Sequence, residues 1–256
     1  MRLLFIGDVV GMGGCDFLLK KLPSYKKKMN IDVCIANGEN SAQGNGVTPH
    51  SCKSLFDAGA DYITLGNHAF RRAEISEYLD GNADVVRPYN YPAGAPGKGV
   101  GIIDKGRYRI AVINLCGTAY SEPLGNPFLE IEKALNETEE IKTVIVDFHA
   151  EATAEKRAMG FFLDGRVTAL LGTHTHVQTA DEQILPKGTA YITDVGMTGA
   201  VQSVLGVTPE LVIRKFKTNL PVRFENPGGE YMMNGCIVDI DEKSGRALKI
   251  ERVDIR

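Results

Sequence analysis

The 256-residue chain lacks any apolar run approaching the roughly 18 residues that a membrane-crossing helix needs. Its opening, Met1-Arg2-Leu3-Leu4-Phe5-Ile6-Gly7-Asp8, reaches a carboxylate too soon for a secretory leader. A cytoplasmic protein with no membrane partner is expected. Paired cysteines are missing too: Cys15, Cys34, Cys52, Cys116 and Cys236 are odd in number, widely spaced and without a C-x-x-C motif. That pattern speaks against a disulfide framework and a thiolate zinc site, and predicts buried free thiols.

A basic face is absent as well. Lys and Arg number 29 against 32 Asp and Glu, for a formal charge of −3, and the one short cluster, Lys26-Lys27-Lys28, reads as the solvated end of a helix. Stable nucleic-acid binding is therefore not expected. There is no Walker sequence, no repeat and no long Pro/Gly/Ser linker, which predicts one domain over 1–256. The Pro- and Gly-rich stretch from Tyr91 to Gly97 reads as an ordered surface loop. The glycine-rich turn from Gly7 to Gly14 fails as a dinucleotide fingerprint. Starting at Gly11, Asp16 falls where the third glycine belongs, and starting at Gly7, Val9 occupies the second.

What the chain does have is 43% hydrophobic content, ample for a sizeable core. Short apolar, β-branched runs recur at Leu3 to Ile6, Ile31 to Ala36, Tyr62 to Leu65, Ile110 to Leu115, Thr143 to Phe148, Val167 to Leu171 and Ala190 to Thr193. Helical stretches separate them. One has a readable start, with Thr48 as N-cap and Pro49 at the first position, and Gly59 closes it. Lys105-Gly106-Arg107 and Asp241 to Gly245 each sit between two strand-like runs and predict antiparallel hairpins. The fold class is α/β with layered, mixed parallel and antiparallel sheets flanked by helices.

The metal-capable residues fall just after these strands. Asp8 ends the first; Glu39 and Asn40 follow the second; Asn67 and His68 follow the third. His149 ends the strand from Thr143, and His174 and His176 follow the strand from Val167. Open α/β sheets bind ligands at strand carboxyl ends, so these segments should deliver their polar groups to one rim. An extended His174-Thr175-His176 segment would place both imidazoles on one side. Each piece alone has a bland reading, as helix cap, turn or alternating strand residue; their joint placement predicts a metal site. His50, after Pro49, is left as a surface or capping histidine. Seven oxygen and nitrogen donors without thiolate exceed one tetrahedral ion and favour two ions of Mn, Fe, Zn or Co, with Glu39 able to bridge them.

The segments Gly7-Asp8, Gly38-Glu39-Asn40, Gly66-Asn67-His68, Phe148-His149 and Gly172-Thr173-His174-Thr175-His176 resemble those of the calcineurin-like metallophosphoesterases. Within that superfamily the chain is similar, nearly end to end, to the YmdB-like branch of bacterial 2′,3′-cyclic nucleotide phosphodiesterases. Leu185 to Gly199 and Arg214 to Pro221 carry this likeness further. Val10 and Glu39 stand where the wider superfamily has His and Asp, as that branch does. The more oxygen-rich set favours Fe or Mn over Zn. The resemblance implies one ion held by Asp8, Glu39, Asn40 and His176, and a second by Glu39, Asn67, His149 and His174. It implies hydrolysis of 2′,3′-cyclic nucleotides by a hydroxide bridging the ions, with His68, pointing away from Asn67, as general acid or alternatively as an orienting residue. A small nucleotide is the implied substrate and a homo-oligomer the implied state. Phosphomonoester or 5′-nucleotide hydrolysis, and a regulatory role acting through partners, are the alternatives. Tyr89, Tyr91 and Tyr120 lie in loops where a ring could stack on a base or simply pack on the surface.

Overall fold

A computed structural model describes residues 1–121 and 123–256. In chain order the strands and helices are β1 (Arg2–Ile6), β2 (Asp8–Val9), α1 (Gly11–Met29), β3 (Val33–Asn37), α2 (Pro49–Ala58), β4 (Tyr62–Thr64), α3 (Ile75–Gly81), β5 (Val85–Val86), β6 (Val100–Asp104) and β7 (Arg109–Cys116). There follow α4 (Pro127–Asn136), β8 (Thr143–His149), α5 (Thr153–Leu163), β9 (Ala169–Thr173), β10 (Gln183–Ile184), β11 (Ala190–Ile192), β12 (Met197–Ala200), α6 (Pro209–Thr218), β13 (Tyr231–Ile240) and β14 (Ala247–Ile255). One sheet runs β2-β12-β13-β1-β3-β4-β5, with β14 paired to β13; the other runs β10-β11-β9-β8-β7-β6. Both mix parallel and antiparallel pairs, as the sequence predicts.

The continuous apolar strands are explained by burial on both faces. On β1, Leu3 and Phe5 join a core between the two sheets that includes Ile110, Val112, Ile145 and Leu171. Leu4 and Ile6 point the other way, into a core under Leu18 and Leu22 of α1 and Leu55 of α2. On the second sheet Ile113, Val146 and Phe148 pack beneath Ile131 of α4 and Met159 of α5. The result is four layers, helix, sheet, sheet, helix, in which period-two alternation decides which core each side chain joins.

Both hairpins form, β6 with β7 and β13 with β14, and Gly106 and Gly245 supply the positive φ of their turns. α2 begins as read: Ser51 N donates to Thr48 Oγ1 at 3.1 Å, Thr48 N donates to Ser51 Oγ at 3.0 Å, and Gly59 caps the end. Lys26 to Lys28 lie in the last turn of α1, and the five cysteines are buried. The loop from Tyr91 to Gly97 is ordered by the Arg87 guanidinium, which donates to the carbonyls of Pro88, Tyr89, Ala95 and Pro96. The glycines after β1 open α1, where a Cβ on Gly13 would stand 2.1 Å from Tyr231 Oη and one on Gly14 2.7 Å from Thr198 O. They let the helix approach the sheet. Among the described residues no helix is long and apolar enough to cross a membrane.

Strand bounds shift by up to two residues from expectation, as at β3 and β9, and one break bears on the site. The first strand stops at Ile6, and Asp8 belongs to the separate two-residue strand β2, paired with Met197 of β12. Gly7 makes the break possible, since a Cβ there would lie 2.1 Å from Gly196 O. Gly7→Ala must push these backbones apart and should destabilise the fold by about 1–3 kcal/mol, read as a lower urea midpoint; an unchanged midpoint would contradict this packing.

Candidate metal centre

The polar residues at the strand ends converge where the two sheets meet. Asp8 lies on β2; Glu39 and Asn40 follow β3; Asn67 and His68 sit in the turn after β4; His149 ends β8; His174 and His176 follow β9. His50 is exposed on α2, in keeping with a surface histidine.

Glu39 is the hub. Its Oε1 lies 3.2 Å from His149 Nε2 and 3.3 Å from His68 Nδ1, and accepts from Asn40 Nδ2 at 2.9 Å. Its Oε2 accepts from the His68 backbone N–H at 2.9 Å. Beside it, His149 Nε2 is 3.0 Å from Asn67 Oδ1 and 3.0 Å from His174 Nδ1. Donor atoms of Glu39, His149 and His174 all fall within 4.8 Å of one another. On the other side of Glu39, His176 Nε2 is 3.5 Å from Asn40 Nδ2 and 3.6 Å from Asp8 Oδ1. Asp8 is fully buried, and its Oδ1 has no hydrogen-bond partner among the described residues. An orphaned, buried carboxylate oxygen facing an imidazole suits a cation between them. A Cβ on Gly66 would stand 2.4 Å from both Glu39 Oε2 and His149 Nε2, so only glycine admits this cluster.

A second set of partners orients the imidazoles. His149 Nδ1 donates to Thr173 Oγ1 at 2.8 Å, which donates to Asp147 Oδ1 at 2.6 Å; Asn37 Nδ2 donates to Asp147 Oδ2 at 2.9 Å. His174 Nε2 faces Glu151 Oε2 at 3.0 Å, and His176 Nδ1 donates to Leu205 O at 3.0 Å. Each contact leaves the opposite ring nitrogen aimed inward. Asn37, Asp147, Glu151 and Thr173 were not among the sequence candidates, although all four sit within two residues of one, as a supporting partner would.

Two local expectations need correcting. The His174-Thr175-His176 segment is not extended: β9 ends at Thr173, and His174 and His176 take φ of 100° and 63°. These left-handed kinks, not strand alternation, bring both imidazoles to the site. His68, expected to diverge from Asn67 in an extended segment, sits instead in a turn. In the turn, its Nδ1 is 2.8 Å from Asn40 Oδ1, while its Nε2 has no partner among the described residues.

Burial works against charge on His149, but the neighbouring Glu39, Asp8 and Asp147 carboxylates outweigh it and push the imidazole up to about 9. Glu39 shows the converse: burial opposes its ionisation, yet His149 and His68 hold its carboxyl well below the usual range. Burial raises Asp8 and pushes Asp147 up to about 6. Burial, reinforced by the charge on His149, drives His174 down to about 3.

A cavity of about 850 Å³ opens over the cluster, walled by Arg72, Leu205, Arg223 and Phe224. Arg72 is held by the carbonyls of Gln43 and Asn45. Phe224, unread in the sequence, lines this cavity; Tyr89 and Tyr91 line another, and Tyr120 is exposed in a loop.

Residues 4–253 match the family model described as YmdB-like protein. The chain belongs to the YmdB-like family. It is 48% identical over 254 residues to the 2′,3′-cyclic-nucleotide 2′-phosphodiesterase of Bacillus subtilis strain 168, covering 99% of this chain and 96% of that protein. A crystal structure of a hypothetical protein from Thermus thermophilus superposes with a TM-score of 0.94 at 40% identity, covering 100% of this chain and 99% of the other. The NAD nucleotidase of Haemophilus influenzae shares the fold alone, with a TM-score of 0.58 at 14% identity over 99% of this chain and 55% of its own. The YmdB-like chain thus has the calcineurin-like metallophosphoesterase fold that its motifs imply.

A metal ion held by His149 would need its imidazole neutral, whereas the surrounding carboxylates push that imidazole up to about 9. Metal uptake at pH 7 must expel the imidazole proton, so apparent affinity should rise with pH and level off near 9. Calorimetry in buffers of different ionisation enthalpy should show proton release on metal binding at pH 7; release of none would refute this.

Proposed function

We propose that this chain is a metal-dependent phosphodiesterase that opens 2′,3′-cyclic nucleotides to nucleoside monophosphates at a dinuclear centre. The observation that carries the proposal is the placement of Glu39 between two donor sets, one of which contains the orphaned Asp8 oxygen. The near full-length likeness to the Bacillus phosphodiesterase supports the substrate class.

Asp8, Glu39, Asn40 and His176 would hold one ion, and Glu39, Asn67, His149 and His174 the other. Asn40 now turns its amide nitrogen toward His176 and its oxygen toward His68; half a turn about its soft terminal torsion offers the oxygen instead. The mixed oxygen and nitrogen set suits Fe or Mn, and admits Zn. Such an ion pair supplies an activated water and neutralises charge on the phosphoryl oxygens.

The chain's own groups do the rest. The same half turn sets Asn40 Nδ2 against His68 Nδ1, so Asn40 donates to that nitrogen and the ring proton sits on Nε2, available in the cavity to the departing ribose oxygen. Phe224 offers a face on which a base of any identity can stack, and Arg223, without a charged partner among the described residues, meets an anionic substrate.

The test is hydrolysis of 2′,3′-cyclic AMP, 3′,5′-cyclic AMP and AMP by manganese- or iron-loaded protein. Cleavage of the 2′,3′-cyclic ester that vanishes, with reduced metal content, in Glu39→Gln is expected; a fully active Glu39→Gln would move the bridge elsewhere. His68→Ala should retain both metals while turnover falls about 10²- to 10⁴-fold, and metal loss in that variant would make His68 an orienting residue. Phe224→Ala should raise KM for cyclic nucleotides about tenfold, consistent with loss of one stacking contact, with little change in kcat.

A further inference from the structure

Lys156 and Asp194 are both fully buried, and neither lines the cavity over the metal centre. Lys156, on α5, places Nζ 2.8 Å from Asp194 Oδ2. That oxygen also accepts from the Thr175 backbone N–H at 3.0 Å and from Thr175 Oγ1 at 2.7 Å. Asp194 Oδ1 accepts from Gly196 N at 2.9 Å, and Gly196 O in turn accepts from Asp8 N at 3.1 Å. The backbone of Asp194 is itself clamped: its N–H donates to Thr179 Oγ1, and its carbonyl accepts from Thr179 N. One carboxylate therefore ties down both the segment that carries His174 and His176 and the strand that carries Asp8.

Thr175 is the residue between two left-handed histidines. A backbone of that shape in non-glycine residues persists only where its surroundings over-determine it. Here the determining contacts are the two hydrogen bonds from Thr175 to Asp194. Both reach Asp194 Oδ2, the oxygen that also accepts from Lys156 Nζ, and a buried carboxyl crowded by three donors is held in place by a counter-charge. Lys156 supplies it.

We infer that Lys156 and Asp194 are positioning residues that hold Asp8, His174 and His176 in metal-binding register through Gly196 and Thr175. The inference rests on the dinuclear reading above. A pair that served packing alone would affect folding stability and leave the donor set, once folded, unchanged. A positioning pair changes the affinity of the folded apoprotein for metal.

Thr175→Val keeps the side-chain shape and removes one hydrogen bond, so it should fold; Asp194→Asn and Lys156→Met remove the charges. Manganese is titrated into each metal-free variant by calorimetry, with thermal midpoints recorded alongside and kcat and KM for 2′,3′-cyclic AMP measured at saturating manganese. Folded Thr175→Val should bind manganese about 10- to 100-fold more weakly, as expected for loss of an outer partner, with KM within twofold of the parent and kcat recovering as manganese is raised. Asp194→Asn and Lys156→Met should weaken binding at least as much. Parental manganese affinity in folded Thr175→Val, whatever its thermal midpoint, overturns the inference while leaving the dinuclear reading intact. A parent protein that binds no manganese overturns the dinuclear reading itself.

Discussion

Asp8, Glu39, Asp147 and Asp194 all lie at or below 1% exposure around the seam between the two sheets. Ionised carboxylates removed from water are costly unless each meets a cation or several donors. Asp194 meets Lys156 and the two Thr175 groups; Asp147 meets Thr173 and Asn37. Glu39 lies against His149 and His68, Asp8 faces His176 and His149, and one Asp8 oxygen is left without a hydrogen-bond partner among the described residues. Burial pushes Asp8 and Asp147 upward, so holding these carboxyls ionised at one point is costly, and a cation beside them would offset that cost. Much of the local architecture follows from that constraint. The strands stop where their ends can present these groups, and Gly66 stays free of a side chain that would displace them.

The four-layer fold makes the concentration possible. Helices cover both outer faces, so the strands can be apolar on both sides and the polar residues are confined to their ends. β3 and β4 contribute from one sheet, β8 and β9 from the other, and the facing rims set Glu39 against His149, both buried. Hydrogen bonds behind the site then fix ring orientation, so each imidazole presents an inward nitrogen.

The sequence made the layered α/β class legible because runs such as Leu3 to Ile6 and Thr143 to Phe148 have no polar face to turn to solvent. The cluster was legible because its members follow strands and carry metal-binding atoms. What the sequence could not show is how chain separation closes in space. Lys156 and Asp194 are 38 residues apart, and nothing in either local context marks them as a pair. The left-handed turns at His174 and His176 were hidden too, because histidine gives no local signal for that conformation as glycine would. Phe224 went unread because it lies in an irregular segment whose position depends on anchors elsewhere: Thr208 N donates to Glu225 O at 2.9 Å and Asn226 Nδ2 to Gly206 O at 2.9 Å.

The claim on which the rest turns is that Glu39 lies between two metal ions. Anomalous diffraction from crystals of the manganese-loaded protein tests it directly. The account predicts two peaks flanking the Glu39 carboxylate, one beside Asp8 and His176 and the other beside His149 and His174. A single peak, or two peaks with Glu39 bound to neither, would contradict it.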